Sequence, residues 1–479
     1  MAEDLLTRPE GKTLEFKRDL SSPKPLLKTL IAFANTAGGR LIIGVADQTR
    51  QPLGVASPLD EEERLSNLIA DSICPRLVPN IEMITIDDQT LLIVEVYLSN
   101  SRPHYLKSGG PENGVYIRLG SSNRQADREL IAELRRSVEG IAFDEMPLPG
   151  LSIADLDLKA AGKLFAGRRE LDNQGLLTLK LLCHDQGKLV PTKGAVLLFG
   201  EHRTFHFADA WVQCGRFVGE DKAVIFDHID IHDPLPLAVE SILLFLKKHA
   251  MRGADFSEIQ RRDVWSIPLG ILREVVINAL VHADYSQRGA PIRVAFFDDR
   301  IEVENPGILL PGMTIEDMKQ GISKIRNPVI ARVFRELNLI EQWGSGVRRI
   351  FKEAQELGLP MPEIVEIGMR LRFIVRLSEP LAVENSGLQV EAQVEAQVEA
   401  QVDLDILAVC AQRPLSSAEI ATALGHKQLS GNLRKALPRL KKAGLLEYTI
   451  PDKPKSRLQK YRLTRAGKAV LDRMEERHD

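Results

Sequence analysis

The stretch REVVINALVHADY, Arg273–Tyr285, decides how the middle of the chain is read. It reads as a helix in which Glu274, Asn278 and His282 fall at i, i+4 and i+8 and so share one helical face. An amide oxygen on such a face can ligate Mg²⁺, and a carboxylate one turn earlier can orient a water toward a γ-phosphate. The plainer alternative is a polar stripe satisfied by local hydrogen bonds.

Two glycine-bearing loops lie downstream. ENPG at 304–307 follows the strand Arg300–Glu304, and WGSGVRR at 343–349 precedes a helix. Glycine lets backbone approach a phosphate closely, and a helix start favours an anion. In this order the pieces resemble the nucleotide-binding domain shared by gyrase and histidine kinases, in the divergent branch labelled a RecG-related helicase C-terminal region. The resemblance spans roughly residues 265–380. It implies a GHKL-like α/β sandwich that binds ATP with Mg²⁺. Glu274 would be the hydrolytic base and Asn278 the metal ligand, with His282 beside them. Asn305 and Gly307 would form the adenine-side loop and Gly344 and Gly346 the phosphate-side loop, while Arg326 and Asn327 belong to the branch's own motif. Where the wider superfamily carries an aspartate this chain has Asn305, and a neutral amide accepts more weakly. A weak ATPase is compatible with this set. Helicase action is not expected, because no phosphate-loop motor motif exists: Gly11-Lys12-Thr13 lacks both the upstream glycine and a preceding apolar strand.

Toward the N-terminus the pattern is mixed α+β. A strand is expected at Thr13–Lys17, a helix around Lys24–Asn35, strands at Leu41–Val45, Ile81–Ile86 and Leu91–Tyr97, a hairpin-like segment at Gly114–Leu119 and a helix near Asp127–Leu134. Glu10, Glu15 and Asp47 come from separate elements, and three converging carboxylates suit Mg²⁺ or Mn²⁺; solvated acids beside turns are the alternative. The segments EGKTLEFK, IAFANTAGGRLIIGVAD and GVYIRLGSSNR resemble the Schlafen AlbA-type domain across most of residues 10–135. In nuclease members of that family two glutamates and an aspartate form a metal-dependent RNA-cleaving site, which maps onto Glu10, Glu15 and Asp47. Lys17, Arg118, Asn123 and Arg124 are placed for phosphate contact.

Between these regions, residues 152–385 open with helices, pass an expected strand at Gly194–Gly200 and reach an amphipathic helix around Leu235–Lys248. Beyond them a Gln-Val-Glu-Ala repeat within residues 386–403 reads as a linker. Residues 404–479 read as three helices, a strand at Leu445–Ile450, a Pro/Lys turn and a strand at Gln459–Leu463, the order of a winged helix-turn-helix. Basic residues crowd this segment. Ser430, Asn432, Arg434 and Lys435 would reach a DNA groove, and Lys453, Lys455 and Arg457 would decorate the wing. A protein-docking winged helix is the alternative. Pro438 should bend the third helix.

The bulk numbers set the frame. A chain of 479 residues exceeds one hydrophobic core, and 44% apolar with 27% charged residues is ordinary for a globular protein. We therefore expect an α+β multidomain protein: a Schlafen-like α+β domain over 1–145, a connector and GHKL-like domain over 152–385, the linker, and the winged helix. No run reaches the roughly 18–20 apolar residues of a membrane span, the N-terminus lacks a signal-peptide pattern, and four scattered cysteines suggest neither disulfides nor zinc, so the expected location is the cytoplasm. The net charge of −3 leaves the basic C-terminal patch local. The domain order resembles a bacterial group described as predicted transcriptional regulators. That implies a nucleotide-responsive DNA-binding regulator; a metal-dependent endoribonuclease acting on tRNA or other structured RNA and a homo-oligomeric, nucleotide-dependent scaffold are the alternatives.

Overall fold

The computed structural model describes residues 2–255, 262–265, 268–340, 346–377, 406–411, 413–424, 436–437, 440–441, 444–450, 459–464 and 468. They divide into two compact units, residues 1–382 and 383–479. The α+β multidomain expectation holds, and the first two expected domains share the first unit.

The N-terminal domain is built on a four-stranded sheet. Strand β1 (Leu14–Lys17) pairs in parallel with β2 (Gly39–Ile43), and β2 runs antiparallel to β4 (Gln89–Val96), which pairs in turn with β3 (Asn80–Ile86). Helix α1 (Pro23–Asn35) lays Leu26, Leu30 and Ile31 on one face of the sheet with Leu41 and Val94, while Phe16, Ile42 and Leu91 form a separate cluster. This is the period-2 alternation of a strand covered on both faces. The turn between α1 and β2 needs glycine. Gly38 has φ +75°, and a Cβ there would lie 2.9 Å from the Val96 carbonyl oxygen. The hairpin of β5 (Tyr116–Leu119) and β6 (Ser122–Gln125) leads into α2 (Arg128–Glu139), which Asp127 caps by accepting from Leu130 N and Gly140 ends at φ +71°.

The second domain carries a six-stranded sheet in the order β8 (Ile225–Ile231), β7 (Val212–Phe217), β9 (Ile292–Phe296), β10 (Arg300–Pro306), β12 (Arg370–Arg376), β11 (Glu363–Ile367). Only β7 and β9 pair in parallel. Helices α4 (Leu235–Ala250) and α5 (Leu269–His282) pack into its core with Val212, Val294 and Ile301. The expected strand at 194–200 is instead helix α3 (Lys193–Phe199). A short apolar run cannot declare its period, and the side chain of Thr192, accepting from Ala195 N, starts a helix whose last six residues are all buried. Helices α6 (Pro328–Glu336) and α7 (Gly346–Glu356) complete the domain.

Besides the Lys180–Glu145 ion pair, four polar ties among the described residues join the two domains. Lys12 Nζ meets Glu366 at 2.8 Å, Gly312 N donates to Thr36 O at 2.7 Å, Arg326 Nε donates to Glu133 Oε1 at 3.0 Å, and Asp144 Oδ2 accepts from Val329 N and Ile330 N at 2.7 and 3.0 Å. Ile308 adds an apolar tie, sharing one cluster with Val115, Leu130 and Leu134.

In the second unit, helical residues 406–411 and helix α8 (Ser417–Ala423) share a small core with Leu437, Leu440 and Leu446. Strands β13 (Leu446–Tyr448) and β14 (Tyr461–Leu463) pair antiparallel, where two strands were expected. Ser430, Asn432, Arg434, Lys435, Pro438, Lys453, Lys455 and Arg457 lie outside the described residues, as do the repeat linker and Gly344.

Candidate functional site

Helix α5 is apolar nearly all round because it is buried nearly all round: Ile271, Leu272, Val275, Val276 and Leu280 face the core. The interruption is the stripe read from the sequence. Glu274, Asn278 and His282 line one cavity of about 250 Å³, together with Asn305, Arg326 and Gly346. Six residues named from sequence thus meet at one place. Apolar walls come from Ile277, Leu310, Met313, Met318 and Ile325, and cations from Lys324, Arg335 and Arg349. Apolar walls with a few convergent polar groups are the ordinary make-up of a small-molecule site.

Asn278 Nδ2 donates to Glu274 O at 2.8 Å and to Glu274 Oε1 at 3.1 Å, which leaves its Oδ1 as an acceptor on the cavity. Glu274 also receives Arg349 Nη2 at 3.0 Å and sits hard against Gly346, where a side chain would have no room. The expected base is therefore held in an ion pair, not poised alone. Asn305 answers the substitution noted in the sequence. Its Nδ2 donates to Pro306 O at 3.1 Å and to His282 O at 3.4 Å, and since both partners are carbonyls the amide is oriented with Oδ1 as the acceptor. An adenine amine would find an oxygen there, though a neutral one.

His282 is held well below the ordinary imidazole range, to about 4, first by burial and then by the nearby Arg326 cation, so its ring is neutral at pH 7. Arg326 is only 8% exposed, and its donors are committed: Nη1 to His282 O at 3.0 Å, Nη2 to Ile308 O at 2.6 Å, and Nε to Glu133. It shapes the cavity without a donor set aside for a ligand. Gly307, with φ +97°, makes room for it; a Cβ there would meet the Arg326 guanidinium and, at 2.9 Å, Asp284 Cβ. Asn327 does not line the cavity. It is fully buried, and its Nδ2 ties down Val281 O and Ala283 O at the end of α5.

The cavity fits in kind the group that the sequence resemblance implies: a free amide oxygen suits a hard cation and the lining cations suit phosphate. At about 250 Å³ it is smaller than most ligand pockets, which run from roughly 300 Å³.

The N-terminal carboxylates are arranged otherwise than expected. Among the described residues no three His, Cys, Asp or Glu side chains gather as a metal site. Glu15 is buried in ion pairs with Arg118 and Lys17; Glu10 is exposed and accepts from Phe16 N at 2.9 Å; Asp47 is exposed in the turn after β2. Arg118 is fully buried, donating to Gly11 O, Asn123 Oδ1 and Glu15, so it braces the domain and cannot touch a phosphate. Lys17 is likewise engaged, while Arg124 is exposed on β6. Sequence reasoning overlooked Thr36, whose carbonyl takes Gly312 N and whose hydroxyl takes Arg118 N, although it stands inside the segment IAFANTAGGRLIIGVAD; it also overlooked Asp144, which anchors α6 and sits in no motif.

Residues 10–127 match the Schlafen AlbA_2 family. That match takes in the N-terminal domain. Residues 289–375 match the family described as ATP-dependent DNA helicase recG C-terminal, which covers β9 to β12, and residues 400–464 match the C-terminal domain of Fic-like (filamentation induced by cAMP) proteins. Among solved structures the chain is similar to the DIP2311 protein of Corynebacterium diphtheriae (21% identity, 98% of this chain and 97% of that one, TM-score 0.42). It is also similar to the N-terminal domain of a RecG-related protein from Nitrosomonas europaea (30% identity, 26% and 92%, TM-score 0.22) and to a Fic family protein from Desulfovibrio desulfuricans (15%, 71% and 77%, TM-score 0.13). No curated protein matches it. Its domains place it with nucleic-acid-related, ATP-linked proteins. Among the described residues no helix is long and apolar enough to cross a membrane.

Proposed function

We propose that this protein is a nucleotide-responsive DNA-binding regulator: ATP with Mg²⁺ occupies the cavity on α5, and its occupancy sets how the protein engages nucleic acid. The observation that carries the reading is the convergence of Glu274, Asn278, His282, Asn305, Arg326 and Gly346 on one cavity whose wall is tied to the N-terminal domain. Leu309, which lines it, donates to Glu366, the same carboxylate that holds Lys12. Gly312, two residues beyond the lining residue Leu310, bonds to Thr36, and Thr36 holds Arg118. A ligand that repositions the 308–313 wall changes contacts on both sides of the seam, the differential interaction a coupled equilibrium requires.

In this reading Asn278 Oδ1 holds the cation, Asn305 Oδ1 accepts the base amine and Arg335 and Arg349 face the phosphates; the bound cation would neutralise phosphate charge. With Glu274 paired to Arg349, binding outweighs turnover. The C-terminal unit is assigned to duplex DNA as a winged helix, through Arg434 and Lys435. Isothermal titration with ATP and Mg²⁺, on the protein and on Asn278→Ala, tests the cavity: saturable one-site binding lost in the variant is expected, and no binding to the unaltered protein would sink the reading. Duplex retention with and without ATP, on the protein and on Arg434→Ala with Lys435→Ala, tests the output.

A further inference from the structure

Beside the nucleotide cavity, the seam between the two domains carries a second pair of concavities that the reading above leaves unused. The first, about 460 Å³, is lined by Arg102, Arg136 and Lys324. None of the three pairs with a carboxylate among the described residues. Arg102 donates to Ser99 O and, at 3.2 Å, to Ser137 Oγ, while its buried Nε has no partner; Lys324 Nζ reaches only Pro311 O at 2.8 Å; Arg136 stands over the Phe143 ring at 5.5 Å. Of the acids that line it, Glu133 is committed to Arg326 and Glu145 to Lys180, which leaves Asp284 against three cations. The first concavity therefore keeps an excess of positive charge.

The second concavity, also about 460 Å³, shares Phe143 and Asp284 with the first. Phe205 on its rim is 84% exposed, an unusual position for a large apolar ring, and Arg288 on the same rim has no ion pair among the described residues. Asp284 is 2% exposed; its Oδ1 accepts from Ser286 N and Oγ, and its Oδ2 has no hydrogen-bond partner. A buried carboxylate oxygen without a donor is costly unless something supplies one.

We infer that this seam is a binding site for single-stranded nucleic acid, with Arg102, Arg136 and Lys324 holding phosphates and the second concavity taking an amine-bearing base on Phe205 and Asp284. Stacking on an exposed ring tolerates any base, whereas a carboxylate acceptor favours adenine and cytosine, which present an exocyclic amine, over thymine. The inference rests on the reading of the protein as nucleic-acid-binding but does not use the C-terminal unit, and of its residues only Lys324 also lines the nucleotide cavity.

The test is fluorescence anisotropy of the full chain with labelled 12-mers of oligo(dA), oligo(dC) and oligo(dT), in EDTA and without nucleotide, alongside a labelled duplex. Arg102→Glu with Arg136→Glu should weaken all three strands at least tenfold and flatten the salt dependence, since each phosphate contact on a single strand contributes a slope of about 0.7. Phe205→Ala, at an exposed site, should weaken them about fivefold or more, the lower end of what base stacking supplies. Asp284→Ala, which removes the acceptor, should erase the preference for dA and dC over dT. Duplex retention should be unchanged in these variants, and Arg434→Ala with Lys435→Ala should keep single-strand binding while losing the duplex, so the two ideas fail separately. Unaltered strand affinity in both the charge-reversed and Phe205→Ala proteins, with unchanged melting, overturns the inference, as does an absence of single-strand binding by the unaltered protein.

Discussion

Arg326 donates from Nε to Glu133 Oε1 at 3.0 Å across the domain seam, with both side chains buried. Burial pushes the Glu133 carboxyl up, and the guanidinium opposes that shift. Removing one partner leaves an uncompensated buried charge, which costs about 3–5 kcal/mol. Arg326→Ala should therefore lower the melting temperature of the protein sharply. Arg326→Lys should not restore it, because one ammonium cannot serve Glu133, His282 O and Ile308 O at fixed angles. Thermal melting of both variants checks this, and an unperturbed Arg326→Ala would refute it.

Gly307→Ala is expected to be severe for two separate reasons. The residue sits at φ +97°, and the new methyl would overlap the Arg326 guanidinium. A non-glycine residue in that backbone region costs on the order of 1–3 kcal/mol before any clash is counted. Chemical denaturation should place the loss above 2 kcal/mol, and a mild variant would show that the loop shifts freely.

Asn305→Asp would bring the chain back to the acid of the wider superfamily, yet it should not tighten nucleotide binding. The amide donates to two carbonyls, Pro306 O and His282 O, and a carboxylate would face both oxygens with nothing to donate. Titration with ATP should give weaker binding and a lower melting temperature than the unaltered protein.

Two buried groups should give the protein opposing pH responses. His282 titrates in the folded state at about 4, below the 6.5 of a free imidazole, so the unfolded chain binds more protons between these values and stability falls as pH drops through that window. Asp144 is fully buried and raised to about 7 by burial, which its backbone donors Val329 N and Ile330 N only partly offset. Its folded form keeps its proton from about 4 to 7, so its contribution is full at low pH and is lost as pH rises through 7. Asp144→Asn should gain in melting temperature relative to the unaltered protein as pH goes from 5 to 8. A constant difference across that range would assign Asp144 an ordinary pKa.

The sequence announced the nucleotide cavity better than the N-terminal site, and the reason is local geometry. Glu274, Asn278 and His282 are bound by helical periodicity, so their shared face follows from spacing alone, while Asn305 near the end of β10 and Gly346 at the start of α7 are placed by the ends of regular elements. Glu10, Glu15 and Asp47 come from three elements whose relative placement no period dictates. What governs them is Arg118, an arginine that spacing suggested for phosphate and that packing instead buries completely. Charge type told what Arg118 could bind; only tertiary structure told which acid reached it first. The helix at Lys193–Phe199 was illegible for a related reason, since residues buried on all sides carry no amphipathic signature.

The four polar ties across the seam bear on how such proteins can be recombined. Lys12 and Thr36 lie within the region matched as Schlafen AlbA_2, residues 10–127, but Glu133 and Asp144 lie beyond its end. A genetic crossover at residue 127 would leave Glu133 with Arg326 and Asp144 with the start of α6 in one parent's segment, and would set only Lys12 and Thr36 against foreign partners. A crossover just after Asp144 would set all four anchors against foreign partners. Residues 128–144 thus travel best with the second domain, and a chimera spliced at the edge of the signature keeps half of its fastening.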